Sequence, residues 1–327
     1  MNHNRNLKIR EIIQAIRGNE SFLIATHVRP DGDAIGALLG VKLMLERLGK
    51  KADAYSQDEF PPEYEFLPQA TKVRSQPQGS AGYDAAILVD CGDFERVGTE
   101  LAEFIGSRVP LVINIDHHLT GAPFGGVHWV ETGASSTCEM LFDICMHLSL
   151  PLDPDLATLL YTGLLTDTGS FRFSNTRRRV LEIASMLVES GADPVRIAQQ
   201  VYDSSSPERL NLLALVLGTV QFHAESRIAT AELSRGMLAA TSTSYMDSEG
   251  FINHLRSVKS VLMAMLLREG SEGVIHVSLR SRNGIDVARF AQRYGGGGHL
   301  MAAACRIPGT LEAVRTMLTR DAVDYIA

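Results

Sequence analysis

Apolar residues recur at helical spacing through Leu7, Ile9, Ile12, Ile13 and Ile16, and Gly18 ends the pattern. The next apolar run, Phe22-Leu23-Ile24-Ala25-Thr26, lacks polar alternation and predicts a strand buried on both faces. A helix follows over 34–48, closed by Gly49. Two more runs of strand length, Ala85-Ala86-Ile87-Leu88-Val89 and Leu111-Val112-Ile113-Asn114-Ile115, each lead into an aspartate. Helical periodicity returns over 135–148, 153–165, 176–190 and 193–202. Strands alternating with helices predict an α/β domain: a parallel sheet with flanking helices on both faces.

The polar stretch Asp203-Ser204-Ser205-Ser206-Pro207 ends in a proline suited to a first helical turn and marks a linker. The expected organisation is a first domain over 1–190, a helical linker over 191–206 and a second domain over 207–327. Beyond the linker come a helix (208–220), a strand (228–233), further helices, strands over 261–267 and 274–280, and a helix over 286–294. That order predicts a smaller mixed α/β domain.

The chain's 327 residues are enough for two separate cores. With 45% apolar and 21% charged residues, 12 prolines and 28 glycines, a disordered or low-complexity chain is excluded. A net charge of −7 argues against a partner that is long duplex nucleic acid, which a basic face would bind. Cys91, Cys138, Cys145 and Cys305 form no C-x-x-C pair and read as reduced, buried residues. No run of 18 apolar residues occurs and polar residues fill the start of the chain, so the expectation is a cytoplasmic protein without membrane contact.

The chemistry sits where the predicted strands and helices end. His27, Asp31 and Asp33 follow the first strand, Asp90 the second, and Asp116-His117-His118 the third; Asp167 closes a helix. In a parallel sheet the strand C-termini share one edge, so Asp31, Asp90 and Asp116 should converge there. A buried pocket cannot hold that many carboxylates without cations. Imidazole plus carboxylate without thiolate favours Mn²⁺ or Mg²⁺ over structural zinc, and two such ions serve hydrolysis of phosphate esters. Asp31 and Asp33, alternating around Gly32, can address two neighbouring cations, the glycine letting the backbone approach them. Of the adjacent histidines, one can ligate metal while the other hydrogen-bonds a phosphate. Taken singly, each motif has an ordinary reading: a solvated turn for D-x-D, a strand-terminal or capping aspartate for Asp90. Gly295-Gly296-Gly297-Gly298 before His299 reads either as an amide nest for phosphate or as a helix C-cap and turn. Arg280 and Arg282, at a strand end, either grip a phosphate or are solvated.

These motifs resemble the DHH phosphoesterase superfamily, whose signature is present as Asp116-His117-His118. The second domain resembles the DHH-associated domain through Val277-Ser278-Leu279-Arg280-Ser281 and Gly296-Gly297-Gly298-His299. Length, the two domains alone, and the segment 249–256 are most similar to the short bifunctional nanoRNase (NrnA-like) branch. The resemblance implies one Mn²⁺ held by His27, Asp31 and Asp90, and another held by Asp33, Asp90, His117 and Asp167, with Mg²⁺ or Co²⁺ as substitutes. It implies that His118 binds the scissile phosphate, that Asp116 supports the histidines, and that Arg280, Gly296, Gly297, Gly298 and His299 hold substrate across a cleft between the domains. The activities implied are exonucleolytic trimming of short oligoribonucleotides to mononucleotides and conversion of 3′-phosphoadenosine 5′-phosphate (pAp) to AMP. Alternatives are a cyclic or linear dinucleotide phosphodiesterase and a non-enzymatic nucleotide sensor; a homodimer is compatible with the family. One departure from the family pattern is Ala304, where a glycine is usual. If that position needs a positive φ, alanine there costs on the order of 1 kcal/mol.

Overall fold

A computed structural model of the chain describes residues 3–77, 82–118, 123–282 and 284–326, without the side chains of His3 and His299. It divides into two compact units, Met1–Ser204 and Ser205–Ala327.

The first unit runs α1 (His3–Arg17), β1 (Ser21–Ala25), α2 (Gly32–Arg47), β2 (Lys51–Tyr55), β3 (Ala85–Val89), α3 (Thr99–Arg108), β4 (Val112–Asp116), β5 (Val127–Val130), α4 (Thr137–Leu148), α5 (Pro154–Asp167), α6 (Arg178–Glu189) and α7 (Pro194–Tyr202). Among the described residues its strands form one parallel sheet in the order β2-β1-β3-β4-β5. Phe22, Ile24, Ile87, Val89, Ile113 and Ile115 face a large core shared with α1, α2, α4, α5 and α6. Leu23, Ala25, Ala86 and Leu88 face a smaller one closed by Leu101, Ala102 and Ile105 of α3. Burial on both faces explains why β1, β3 and β4 are mainly apolar rather than alternating. The edge strands β2 and β5 carry polar residues, and the sequence periodicity did not disclose them.

Caps set where the helices start. Asp153 accepts from the Leu156 N–H ahead of Pro154 in α5, and Asp193 accepts from Val195 and Arg196 ahead of Pro194 in α7. A capping side chain followed by proline satisfies exposed amides and presets φ. The second unit opens the same way: Ser206 accepts from the Arg209 N–H ahead of Pro207.

That unit runs α8 (Pro207–Leu217), β6 (Gln221–His223), β7 (Ile228–Leu233), α9 (Arg235–Thr241), α10 (Ile252–Ser257), β8 (Met263–Glu269), β9 (Val274–Ser281), α11 (Val287–Gln292), β10 (Gly297–His299), β11 (Ala302–Pro308) and α12 (Leu311–Ile326). Its mixed sheet has the order β10-β11-β9-β8-β7-β6, with β7 and β8 parallel and the other neighbours antiparallel. One face packs Met263, Met265, Val277 and Leu279 against α11 and α12; the other packs Ala264 and Leu266 with residues of α8 and α10. The sequence pattern anticipated β7, β8 and β9 but not β6, β10, β11 or α12. Within the described residues no helix is long and apolar enough to cross a membrane.

Helix α2 is buried from Gly32 to Leu45 and lies against α5. Contact that close needs a residue without Cβ: one added at Gly36 would sit 2.6 Å from the Leu159 carbonyl oxygen. Gly36→Ala should therefore destabilise the protein by about 2 kcal/mol, as overpacking of a rigid interface does. A fall in urea midpoint without change of slope is the expected result; an unchanged midpoint would show that the helices can part at no cost.

A candidate metal centre at the edge of the parallel sheet

The chain leaves β1 toward β2 on one side and returns as β3 on the other, so the sheet order reverses between β1 and β3. A crevice opens at such a point beyond the strand C-termini. His27 and Asp31 follow β1, Asp90 follows β3, and Asp116 ends β4 with His117 and His118 after it. Asp33 lies in the first turn of α2 and Asp167 is the last residue of α5.

The structure brings these residues together. His27 Nε2 is 3.5 Å from Asp90 Oδ2, and His117 Nε2 is 3.4 Å from both Asp90 Oδ1 and Asp167 Oδ2 and 3.9 Å from Asp33 Oδ2. Among the described residues three overlapping sets have ligand atoms within 4.8 Å of one another: His27, Asp31 and Asp90; Asp33, His117 and Asp167; and Asp90, His117 and His118. Asp90 and His117 each belong to two sets. Spacings of 3.4–3.9 Å exceed ordinary hydrogen-bond reach but suit donors gathered around cations. The oxygen and imidazole donor set fits divalent ions of the Mn²⁺ or Mg²⁺ type.

Local structure explains the placement. Asp31 is the N-cap of α2, its Oδ1 accepting from the Asp33 and Ala34 N–H groups, so D-x-D here is a helix start rather than a loose turn. Gly32 is required for a different reason from the one expected: a Cβ there would lie 2.5 Å from Thr166 Cγ2, so the glycine admits α5 rather than a cation. Asp90 has φ 58°, a left-handed conformation that costs an aspartate about 1–2 kcal/mol. The Asp90 N–H, bonded to the Ile115 carbonyl at 3.0 Å, holds it there. Asp116 Oδ1 lies 2.7 Å from His118 Nδ1, fixing that ring.

Sequence reasoning placed α4 but missed that its first residues reach the site. Ser136 caps this helix, and the Thr137 and Cys138 amides donate to the Asp33 carboxylate at 2.6 and 3.0 Å. Ser136 and Glu139 have the spacing of a capping box, a signal that could have fixed which amides are exposed at this helix start. Glu139, buried with Asp143, is met by Arg5, Arg177 and Arg179, and Asp143 by Arg5 and Arg179. These arginines offset the desolvation of two carboxylates and anchor the helix.

The electrostatics are those of a site crowded with acid. Burial, then the Asp90 charge, pushes Asp33 up to about 7, and burial raises Asp167 well above the usual carboxylate range. Burial also opposes ionisation of Asp90, but hydrogen bonding and charge from His117, His118 and His27 outweigh it and hold Asp90 well below that range. Burial disfavours charge on His27 and His117 as well. Asp90 and Asp31 reverse this for His27; Asp167, Asp90 and Asp33 reverse it for His117, which is raised well above its ordinary value.

In the second unit, Arg280 alternates with Ser278 and His276 on the face of β9 turned away from the α11 and α12 core. Its guanidinium donates to the Leu279 carbonyl at 3.0 Å, and Arg280 pairs in register with Ala302, Ser278 with Ala304. Gly297 and Gly298 belong to β10; the His299 side chain lies outside the described residues. The glycine run is thus part turn, part strand: a Cβ on Gly296 would meet the Ala304 carbonyl oxygen at 2.2 Å. Ala304 itself is an ordinary strand residue without positive φ, so the expected backbone penalty for alanine does not arise.

Residues 21–164 match the DHH family, N-terminal domain, and residues 236–325 match the DHHA1 domain. A bifunctional oligoribonuclease and PAP phosphatase, NrnA, of Thermus thermophilus is 35% identical over 326 residues, covering 95% of this chain and 94% of that protein. The chain belongs to the DHH family. The NrnA of Bacillus subtilis is 25% identical over 94% of this chain and 96% of its own. Among solved structures, an exopolyphosphatase-related protein from Bacteroides fragilis aligns with TM-score 0.90 and 27% identity, over 98% of this chain and 96% of that one. RecJ of Thermus thermophilus, with TM-score 0.57 at 16% identity over 99% of this chain and 54% of its own, shares the fold. Membership brings hydrolase activity and dependence on divalent metal, for which the three ligand sets provide the residues.

Because the raised His27 and His117 values keep protons on imidazoles that a cation needs neutral, cation uptake should release protons, and affinity should rise with pH. Calorimetric Mn²⁺ titrations of chelator-treated protein in buffers of different ionisation enthalpy test this. Equal heats across buffers, or tighter binding at lower pH, would contradict it.

Proposed function

We propose that the chain is a cytoplasmic Mn²⁺-dependent phosphoesterase that trims short oligoribonucleotides to mononucleotides and hydrolyses pAp to AMP and phosphate. The convergence of His27, Asp31, Asp33, Asp90, His117 and Asp167 in overlapping sets supports the chemistry, and similarity to NrnA proteins along nearly the whole chain supports the substrates. His27, Asp31 and Asp90 would hold one ion; Asp33, Asp90, His117 and Asp167 would hold the other, with Asp90 common to both. Two divalent ions supply a water-derived nucleophile at neutral pH and neutralise charge on the phosphoryl oxygens.

The remaining steps belong to side chains. Asp116 holds Nδ1 of His118 at 2.7 Å, which orients the ring so that Nε2 hydrogen-bonds a phosphate oxygen of the substrate. Arg280 and the amides around Gly296, Gly297 and Gly298, with His299, bind the substrate's other phosphate or nucleotide end. Four buried, unpaired cysteines accord with a reducing compartment.

Purified protein supplied with Mn²⁺ should turn over pAp and a 5′-phosphorylated ribodinucleotide, and act poorly on a cyclic dinucleotide and a long RNA. Preference for the cyclic compound would reassign it as a dinucleotide phosphodiesterase, and no turnover of any would indicate a sensor. Asp90→Asn should fold, since asparagine tolerates the left-handed backbone, yet lose at least about 100-fold in turnover. Excess chelator should abolish activity and Mn²⁺ restore it; full turnover in chelator would sink the metal mechanism.

A further inference from the structure

Thr137 is fully buried at the first position of α4 and touches two of the crowded carboxylates at once. Its N–H donates to Asp33 Oδ2 at 2.6 Å and its Oγ1 donates to Asp90 Oδ1 at 3.0 Å. Asp33 lies in the set with His117 and Asp167, whereas Asp90 lies in the other two, with His27 and Asp31 and with His117 and His118.

From this we infer that Thr137 is a positioning residue that fixes the separation of the two cation positions, an inference that rests on the metal-dependent reading above. The hydroxyl has one proton to donate, and it goes to Asp90 Oδ1, the oxygen that also lies 3.4 Å from His117 Nε2 and 3.5 Å from His118 Nδ1. That bond selects one rotation of the Asp90 carboxylate and turns Oδ2 toward His27 Nε2, 3.5 Å away. Without it Asp90 can rotate, and its two oxygens no longer divide between the two sets. The Thr137 and Cys138 amides meanwhile hold both oxygens of Asp33, so α4 sets the orientation of one carboxylate with its backbone and of the other with a single side chain. The anchor behind it is rigid: the Ser135 N–H donates to Glu139 Oε2 at 2.8 Å, and Glu139 is held by Arg5 of α1, Arg179 of α6 and Arg177 just before α6. Donors that orient metal-binding carboxylates usually matter to affinity by about 10–100-fold when removed.

The test is Mn²⁺ titration of chelator-treated wild type, Thr137→Val and Thr137→Ser, read by calorimetry and by electron paramagnetic resonance for coupled ion pairs, with pAp kinetics alongside. Valine matches threonine in shape and lacks the hydroxyl. It should weaken binding of at least one ion about 10-fold or more, diminish the coupled-pair signal, and lower kcat with little change in KM. Serine should restore most of the affinity and the signal. Thr137→Val with wild-type affinity and signal, or Thr137→Ser as impaired as Thr137→Val, would overturn the inference even if wild type is fully active. Wild type that takes up no Mn²⁺ would overturn the metal reading itself, and the inference with it. Should the valine variant not fold, the serine and alanine variants decide by the same comparison, a wild-type alanine variant being the contrary result.

Discussion

Repulsion between buried carboxylates governs the first unit. Asp33, Asp90 and Asp116 are each at most 2% exposed, and Asp167 Oδ2 joins them 3.4 Å from the His117 imidazole. Charges so placed would unfold a site that gave them no counter-charge. In the protein without cations the counter-charge comes from His27 and His117, whose affinity for protons is raised by the very carboxylates they neutralise. Cations and protons therefore compete for the same positions, which ties metal loading to pH and leaves the pocket organised before a metal arrives.

Much of the surrounding architecture serves that organisation. Parallel strands bring three loops to one edge, and the order reversal between β1 and β3 opens the crevice. Close approach of α2 and α5 is possible because Gly32 and Gly36 leave room for Thr166 and the Leu159 carbonyl. Helix α4 then points two amides at Asp33, a favourable use of a helix N-terminus for an anion. Glu139 and Asp143, with three arginines around them, lie behind the site and touch none of its described ligand atoms. Their part is to fix where the N-terminus of α4 stands.

The second unit applies a different economy. Along β9 the buried Ile275, Val277 and Leu279 alternate with His276, Ser278 and Arg280, and neighbouring β11 places Ala302 and Ala304 on the same face. Close approach of β11 demands glycine at 296 and 298, where a Cβ would meet the Ala304 and Ala302 carbonyl oxygens, whereas Gly295 has a positive φ and Gly297 has open space around it.

What the sequence determined was whatever depends on neighbouring residues. Nearly continuous apolar runs marked β1, β3 and β4 because strands buried on both faces admit a polar residue only where it finds a partner, as Asn114 does in the Cys91 carbonyl, and the carboxylates and histidines after them stood out because such residues have no place in a core. The candidate ligands His27, Asp31, Asp33, Asp90, His117 and Asp167 were all legible on that basis. The polar edge strands β2 and β5, the three-residue strands β6 and β10, and the alanine-rich β11 were not, since their pairing rests on partners distant in sequence. Thr137 illustrates the same limit at the site: a threonine at a helix start is unremarkable until folding sets it between Asp33, 104 residues away, and Asp90, 47 residues away. Only the tertiary structure decided which donors orient the ligands and which backbone needs glycine, because both depend on distances across the fold that no local pattern encodes.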